Sequence, residues 1–191
     1  DMQEAVDKIK AAIQAEEMIA VYGDYDADGV TSVTVLMTAL ERLGAEAFFV
    51  IPNRFEHGYG PNKALFEEIS AMGASMIITV DNGIAGVEQI AYAKSLGLKI
   101  IVTDHHEAGE TLPEADAILH PRIPEGHYSF ADLAGVGVAF KLATALLGKA
   151  PLDLLEVVAI GTVADLVPLK DENRYFVQEG LRQLKKTTRP G

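Results

Sequence analysis

Five short, almost wholly apolar runs alternate along this chain with segments whose apolar residues recur at helical spacing, and that alternation constrains the fold more than any other feature. The runs are Met18–Tyr22, 45–51, 76–80, Lys99–Thr103 and Ala117–Leu119. The helical segments are 3–16, 31–43, 62–72, 85–96, 136–147, 152–163 and 173–185. In the second of these, Val33, Met37 and Leu40 form one stripe and Gly44 ends it. Strands this short and apolar on both sides belong to a parallel sheet covered by helices on both faces. The expected fold class is α/β, doubly wound, with a mainly parallel five-stranded sheet in the order 2-1-3-4-5. A chain of 191 residues suits one core, and neither a repeat nor a low-complexity linker interrupts it. The polar, turn-rich KKTTRPG at the end reads as the start of a linker.

Acidic residues collect where these strands end. GDYDADGV places Asp24, Asp26 and Asp28 after the first strand, TVDNG places Asp81 after the third, and VTDHH places Asp104, His105 and His106 after the fourth. The first motif opens like a calcium loop. The twelfth position from Asp24 is Val35 where that loop needs a bidentate glutamate, and the preceding MIAVY reads as a strand, so the calcium-loop reading fails. In an open parallel sheet all these strand ends share the carboxyl rim, where ligands bind. With strands 1 and 3 adjacent at the switch point, their aspartates face each other across a crevice. Such a crowd of carboxylates repels itself unless cations lie between them, and a pair of divalent ions is the simplest resolution.

Composition limits the chemistry. There is no cysteine, which excludes disulfides, zinc–thiolate sites and thiol nucleophiles. A metal must therefore take oxygen and imidazole ligands. The net charge of −12 excludes a basic surface that wraps nucleic acid by charge alone, although bound cations can reverse the sign locally. No apolar run is long enough to span a bilayer, and Asp1, Glu4 and Asp7 are unlike a signal peptide, so a cytoplasmic protein without membrane contact is expected.

Taken singly, each element has a plainer explanation. Asp28 reads as an N-cap for the helix at 31, Asp81-Asn82-Gly83 as a turn, and a lone histidine after a strand as a hydrogen-bonded structural residue. Arg54 beside Glu56 reads as a surface ion pair. Their coincidence on one rim favours the metal site, with Asp104 available as the carboxylate that fixes a ligating histidine's tautomer.

GDYDADG, TVDNG and VTDHH together resemble the first three motifs of the DHH phosphoesterase superfamily, and GVGVAFK (135–141) and GTVADLVPL (161–169) extend the likeness in the same order. The form of the first motif, with PNRFEHGYG (52–60), is most similar to the branch of exonucleases specific for single strands. The resemblance implies metal ligands at Asp26, Asp28, Asp81, His105 and Asp165. Asp81 would bridge two ions, Asp28, His105 and Asp165 would complete one shell, and Asp26 would serve the other. Asp165 comes from the resemblance alone. His106 would contact phosphate or metal, and Asp104 would orient the histidines. Where many members carry a histidine, this chain has Tyr22, which leaves Asp24 or water to serve the second ion.

Carboxylate, imidazole and water ligands suit Mn²⁺ or Mg²⁺, with mixed nitrogen and oxygen ligation leaning to Mn²⁺. Two such ions about 3.5–4 Å apart activate a water and stabilise both oxygens of an in-line displacement at phosphorus. For the phosphates the sequence offers Arg54, the helix-opening amides at Gly135 and Gly137, and as weaker candidates Arg122 and Lys141. The resemblance thus implies a 5′→3′ exonuclease on single-stranded DNA in repair and recombination, with single-strand-binding protein and other repair proteins as partners. It also implies that residues 1–191 are one catalytic domain of a longer chain carrying a DHH-associated domain and an OB-fold. The alternatives are a phosphodiesterase for oligoribonucleotides or cyclic dinucleotides, and a non-catalytic scaffold binding replication proteins. The scaffold has no reason to keep all five ligands.

Overall fold

The protein is described by a computed structural model covering residues 1–123 and 127–189. Strands β1 (Met18–Tyr22), β2 (Ala47–Val50), β3 (Ala74–Val80), β4 (Lys99–Thr103) and β5 (Ala117–Leu119) form one sheet. Its order is β2-β1-β3-β4-β5 and every neighbouring pair is parallel, so the expected topology is the one found. One row runs Val21–Ile78–Ile101–Ala117 across four strands.

The pleat sorts the apolar runs between two cores. Ile19 and Val21 join Met76, Ile78 and Ile101 beneath helices α1 (Met2–Gln14), α2 (Ala27–Arg42), α5 (Gly135–Leu147) and α6 (Leu155–Ala164). Ala20 and Tyr22 join Ile77, Ile100 and Val102 beneath α3 (Lys63–Ala71) and α4 (Val87–Ser95). The central strands β1, β3 and β4 are buried on both faces, which is why they are mostly apolar rather than alternating. Helix α7 (Asp171–Leu184) packs on α6, and Gly180 lets the two approach, since a Cβ there would strike the Leu155 carbonyl. No described helix is long and apolar enough to cross a membrane.

One boundary differs in a way that bears on the site. Helix α2 begins at Ala27, a full turn before the expected residue 31. Asp26 is its N-cap and accepts from the Gly29 N–H at 2.8 Å, so Asp28 lies inside the first turn instead of capping it. A Cβ on Gly29 would collide with Asp24, so this glycine is needed for the loop to fold back into the helix. Helix α6, in contrast, starts later than expected, because a 3₁₀ turn at Leu152–Leu154 precedes it.

Candidate metal centre

The carboxyl ends of β1, β3 and β4 deliver Asp24, Asp81, Asp104 and His105 to one crevice, and all four are buried. Helix α2 adds Asp28 from its first turn, and Asp165 enters from the C-terminal end of α6. Ligand atoms of Asp28, His105 and Asp165 lie within 4.8 Å of one another, as do those of Asp24, Asp26 and Asp81, and those of Asp81, His105 and His106. Asp81 and His105 belong to two groups each, so three clusters merge into one centre.

Burial of this kind normally demands partners, and two residues lack them. Both carboxylate oxygens of Asp81 and both ring nitrogens of His105 are buried without a hydrogen bond. His105 Nε2 nonetheless lies 3.2 Å from Asp81 Oδ1, 3.6 Å from Asp28 Oδ2 and 3.7 Å from Asp165 Oδ2. Asp81 is also held at φ 61°, a left-handed conformation that costs a non-glycine residue of order 1–3 kcal/mol. Burial, reinforced by the charges of Asp28 and Asp26, drives the Asp81 carboxyl far above the ordinary aspartate range. Burial lowers His105 to about 4, leaving its imidazole neutral and able to ligate. The orphaned atoms of Asp81 and His105, with the carboxylates of Asp24, Asp26, Asp28 and Asp165 around them, form a hard and borderline donor set that fits divalent cations.

Asp28, by contrast, has partners on both oxygens, which accept backbone N–H groups at the start of α5, from Gly135 at 2.7 Å and Val136 at 2.9 Å. Burial still raises Asp28, assisted by Asp165, while the amides oppose the shift. This corrects one expectation. The Gly135 N–H is committed to an internal carboxylate rather than free for a substrate anion, and Gly137 donates to the Ala134 carbonyl. The glycines serve close approach: a Cβ on Gly135 would collide with the Asp81 carboxylate, and one on Gly161 would collide with Thr31 and crowd Asp28.

Asp104 also differs from expectation, because it orients only one of the two histidine rings. Its Oδ1 meets His106 Nδ1 at 2.7 Å and accepts the His105 and His106 amides, while Oδ2 accepts the Ile84 amide. Burial would raise this carboxyl, yet the His106 bond and the amides hold it below its usual value. The bond to Asp104 in turn raises His106, against the opposing effect of burial. His106 Nε2 meets the Tyr59 hydroxyl at 3.1 Å, and its carbonyl meets His120 Nε2 at 2.7 Å. His120, which reads in sequence as an ordinary loop residue, is therefore a buried brace for the histidine pair. Neither it nor Tyr59 carries a local signal of that role.

The expected phosphate-binding residues divide. Arg54 forms no pair with Glu56; its guanidinium lies 5.7 Å from the Tyr25 ring centre, and Tyr25 stands between Asp24 and Asp26. Arg122 donates from Nε to the Ala131 carbonyl at 3.2 Å, and its charge reaches both His105 and Asp165. Lys141 is drawn instead to Glu172 of α7 and the rings of Tyr128 and Phe176, contacts that pack α5 against α7. Tyr22 is buried edge-on against Phe66 and donates to the Gly60 carbonyl at 3.0 Å.

The family model described as "DHH family, N-terminal domain" matches residues 18–162, the span from β1 to α6 that builds most of this centre. The chain belongs to the DHH family. It is 56% identical over 190 residues to the single-stranded-DNA-specific exonuclease RecJ of Bacillus subtilis (strain 168), covering 100% of this chain and 24% of that protein. To the protein of the same name from Escherichia coli (strain K12) it is 40% identical, covering 100% of this chain and 36% of that one. A solved structure of exonuclease RecJ bound to manganese superposes with a TM-score of 0.88 at 36% identity, over 97% of this chain and 48% of that one. RecJ from Thermus thermophilus in complex with Mn²⁺ gives 0.84 at 33% identity, over 98% and 27%. This DHH chain thus spans between about a quarter and about a third of the length of the two curated relatives.

Proposed function

We propose that this chain is the metal-binding catalytic part of an enzyme that hydrolyses single-stranded DNA from its 5′ end. The observation carrying this reading is the unpartnered Asp81–His105 pair at the meeting point of three ligand clusters. The relatives' names supply the substrate class, and the manganese-bound structures indicate the kind of ion such donors take.

Asp28, His105 and Asp165 would hold one ion, Asp26 with Asp24 the other, and Asp81 both. Mn²⁺ suits the mixed donor set and Mg²⁺ is the alternative. When bound, such a pair supplies an activated water and positive charge toward the reacting phosphate. The chain's own residues do the rest. The start of α5 fixes Asp28, so one ligand is set before any ion arrives. Asp104 favours the proton-bearing form of His106, whose Nε2 would donate to a phosphate oxygen on exchanging its present partner, the Tyr59 hydroxyl. Arg54, unpaired with Glu56, offers a planar cation beside Asp24 and Asp26 for a neighbouring phosphate.

Downstream DHH-associated and OB-fold domains would complete the strand-binding groove, single-strand-binding protein would be a partner, and the cytoplasm the site of action. The test is hydrolysis by the full-length protein of oligonucleotides labelled at either end, with Mn²⁺ and with chelator. Release of the 5′ label first, and only with metal, is expected. Preference for oligoribonucleotides or cyclic dinucleotides in the same assay would reassign the substrate, and metal binding without any hydrolysis would favour the scaffold.

A further inference from the structure

The loop between β2 and α3 exposes an aromatic ring that the metal chemistry does not use. Phe55 is 94% exposed, the most exposed large apolar side chain among the described residues. It does not hang on a loose tether. The Phe55 N–H donates to Asn53 Oδ1 at 2.9 Å, His57 N–H to the Asn53 carbonyl at 2.9 Å, and Asn53 N–H to His57 Nδ1 at 3.0 Å. The far end of the loop is tied to the centre, through Tyr22 to the Gly60 carbonyl and Tyr59 to His106. A braced turn thus holds a bare ring in water. Its neighbour Arg54 lies over Tyr25, whose own N–H bonds Asp24 Oδ1 at 2.6 Å.

We propose that Phe55 is a base-stacking platform for a nucleotide next to the scissile phosphate, with Arg54 gripping the adjoining phosphate. Single-strand grooves combine these two elements, a cation that follows the backbone and a ring that takes any base on its face. Phe55 and Arg54 are consecutive, so one turn presents both, and Arg54's seat on Tyr25 places that turn at the metal rim. The chain contains no tryptophan, and a phenylalanine ring serves the same stacking without a polar edge to select a base. This assignment rests on the reading of the chain as a single-strand nuclease.

The test is binding and hydrolysis by the full-length protein of single-stranded oligonucleotides in which an abasic site is moved through successive positions from the 5′ end. Phe55→Ala is expected to weaken binding of the intact strand roughly 5- to 150-fold, the range seen for loss of one stacked base. Phe55→Trp should retain binding, and Phe55→Leu, apolar but without a π face, should behave like the alanine variant. At one abasic position the Phe55→Ala penalty should vanish, because the wild-type ring then has nothing to stack on. An equal penalty at every abasic position, full binding by Phe55→Leu, or no penalty at all would overturn the assignment. The Mn²⁺-induced thermal shift should be the same in all variants, and its loss would also overturn it by showing that Phe55 acts through the centre. If the wild-type protein neither binds nor degrades single strands, the underlying reading falls and this one with it.

Discussion

Asp28 and Asp81 are both buried aspartates at the same centre, yet they are treated in opposite ways. Asp28 has two backbone amides of α5 on its two oxygens, which offset part of what burial and Asp165 cost its charge. The Asp81 carboxylate has no hydrogen-bond partner among the described residues, its backbone is left-handed, and neighbouring aspartates raise its proton affinity alongside burial. The first carboxylate joins α2 to α5 whether or not a metal is bound. The second, without such partners, is the group that the proposed metal pair would satisfy. A buried group with partners contributes to stability, whereas one without them is a liability that function retains.

The largest effect that can break this contrast is on turnover. Asp81→Asn should reduce hydrolysis by the full-length protein about 10³-fold or more, since several kcal/mol of metal-supplied stabilisation would go. Asp24→Asn, at the edge of one cluster, should cost less. Equal losses measured in steady-state assays would mean that Asp81 holds no special position.

Next comes metal-linked stability. Only the folded chain assembles the centre, so Mn²⁺ at about 100 times its dissociation constant should add roughly 2.7 kcal/mol, or about 5–10 °C in melting temperature. The shift should disappear in Asp81→Asn and in His105→Ala, as followed by calorimetry with and without chelator. An unchanged wild-type melting curve in millimolar Mn²⁺ would remove the preformed centre.

Asp28→Ala tests the other half of the comparison. It strands two buried N–H groups at the start of α5 and should cost roughly 1–3 kcal/mol even in chelator. Asp28→Asn keeps one acceptor and should cost less. A metal-free protein indifferent to Asp28→Ala would show that the α2–α5 bond carries no stability.

The smallest effect is the most diagnostic, because its sign is unusual. The folded-state pKa of Asp81 lies above its unfolded value, so its contribution is full below the ordinary aspartate pKa of 3.8 and is lost as pH rises. Metal-free Asp81→Asn should therefore be more stable than wild type at pH 8, by a few degrees. That advantage should shrink toward pH 5, where the unfolded chain's carboxyl is more nearly protonated and folding takes up less of a proton. An advantage that grew on acidification would mean that Asp81 is stabilised as an anion after all.

Much of the frame was legible in the sequence. Both-sided apolar runs marked β1, β4 and β5 to the residue, and aspartates after successive strands announced a crowded carboxyl rim. These are local or periodic signals, set by the pleat and by which faces must be buried. Asp165 lay beyond such reasoning and entered through family resemblance alone, because an aspartate at the end of an apolar helix has no pattern of its own. Tertiary structure decided who bonds to whom. It gave the Gly135 amide to Asp28, set Asp104 against the ring of His106 and not His105, moved the helix start to Ala27 and brought Tyr59 onto His106. Each pairing except the Asp26 cap and the Asp104–His106 bond joins residues far apart in the chain. A residue's type restricts what it can bond, but only the packed fold determines which partners come within reach and which buried atoms are left without one.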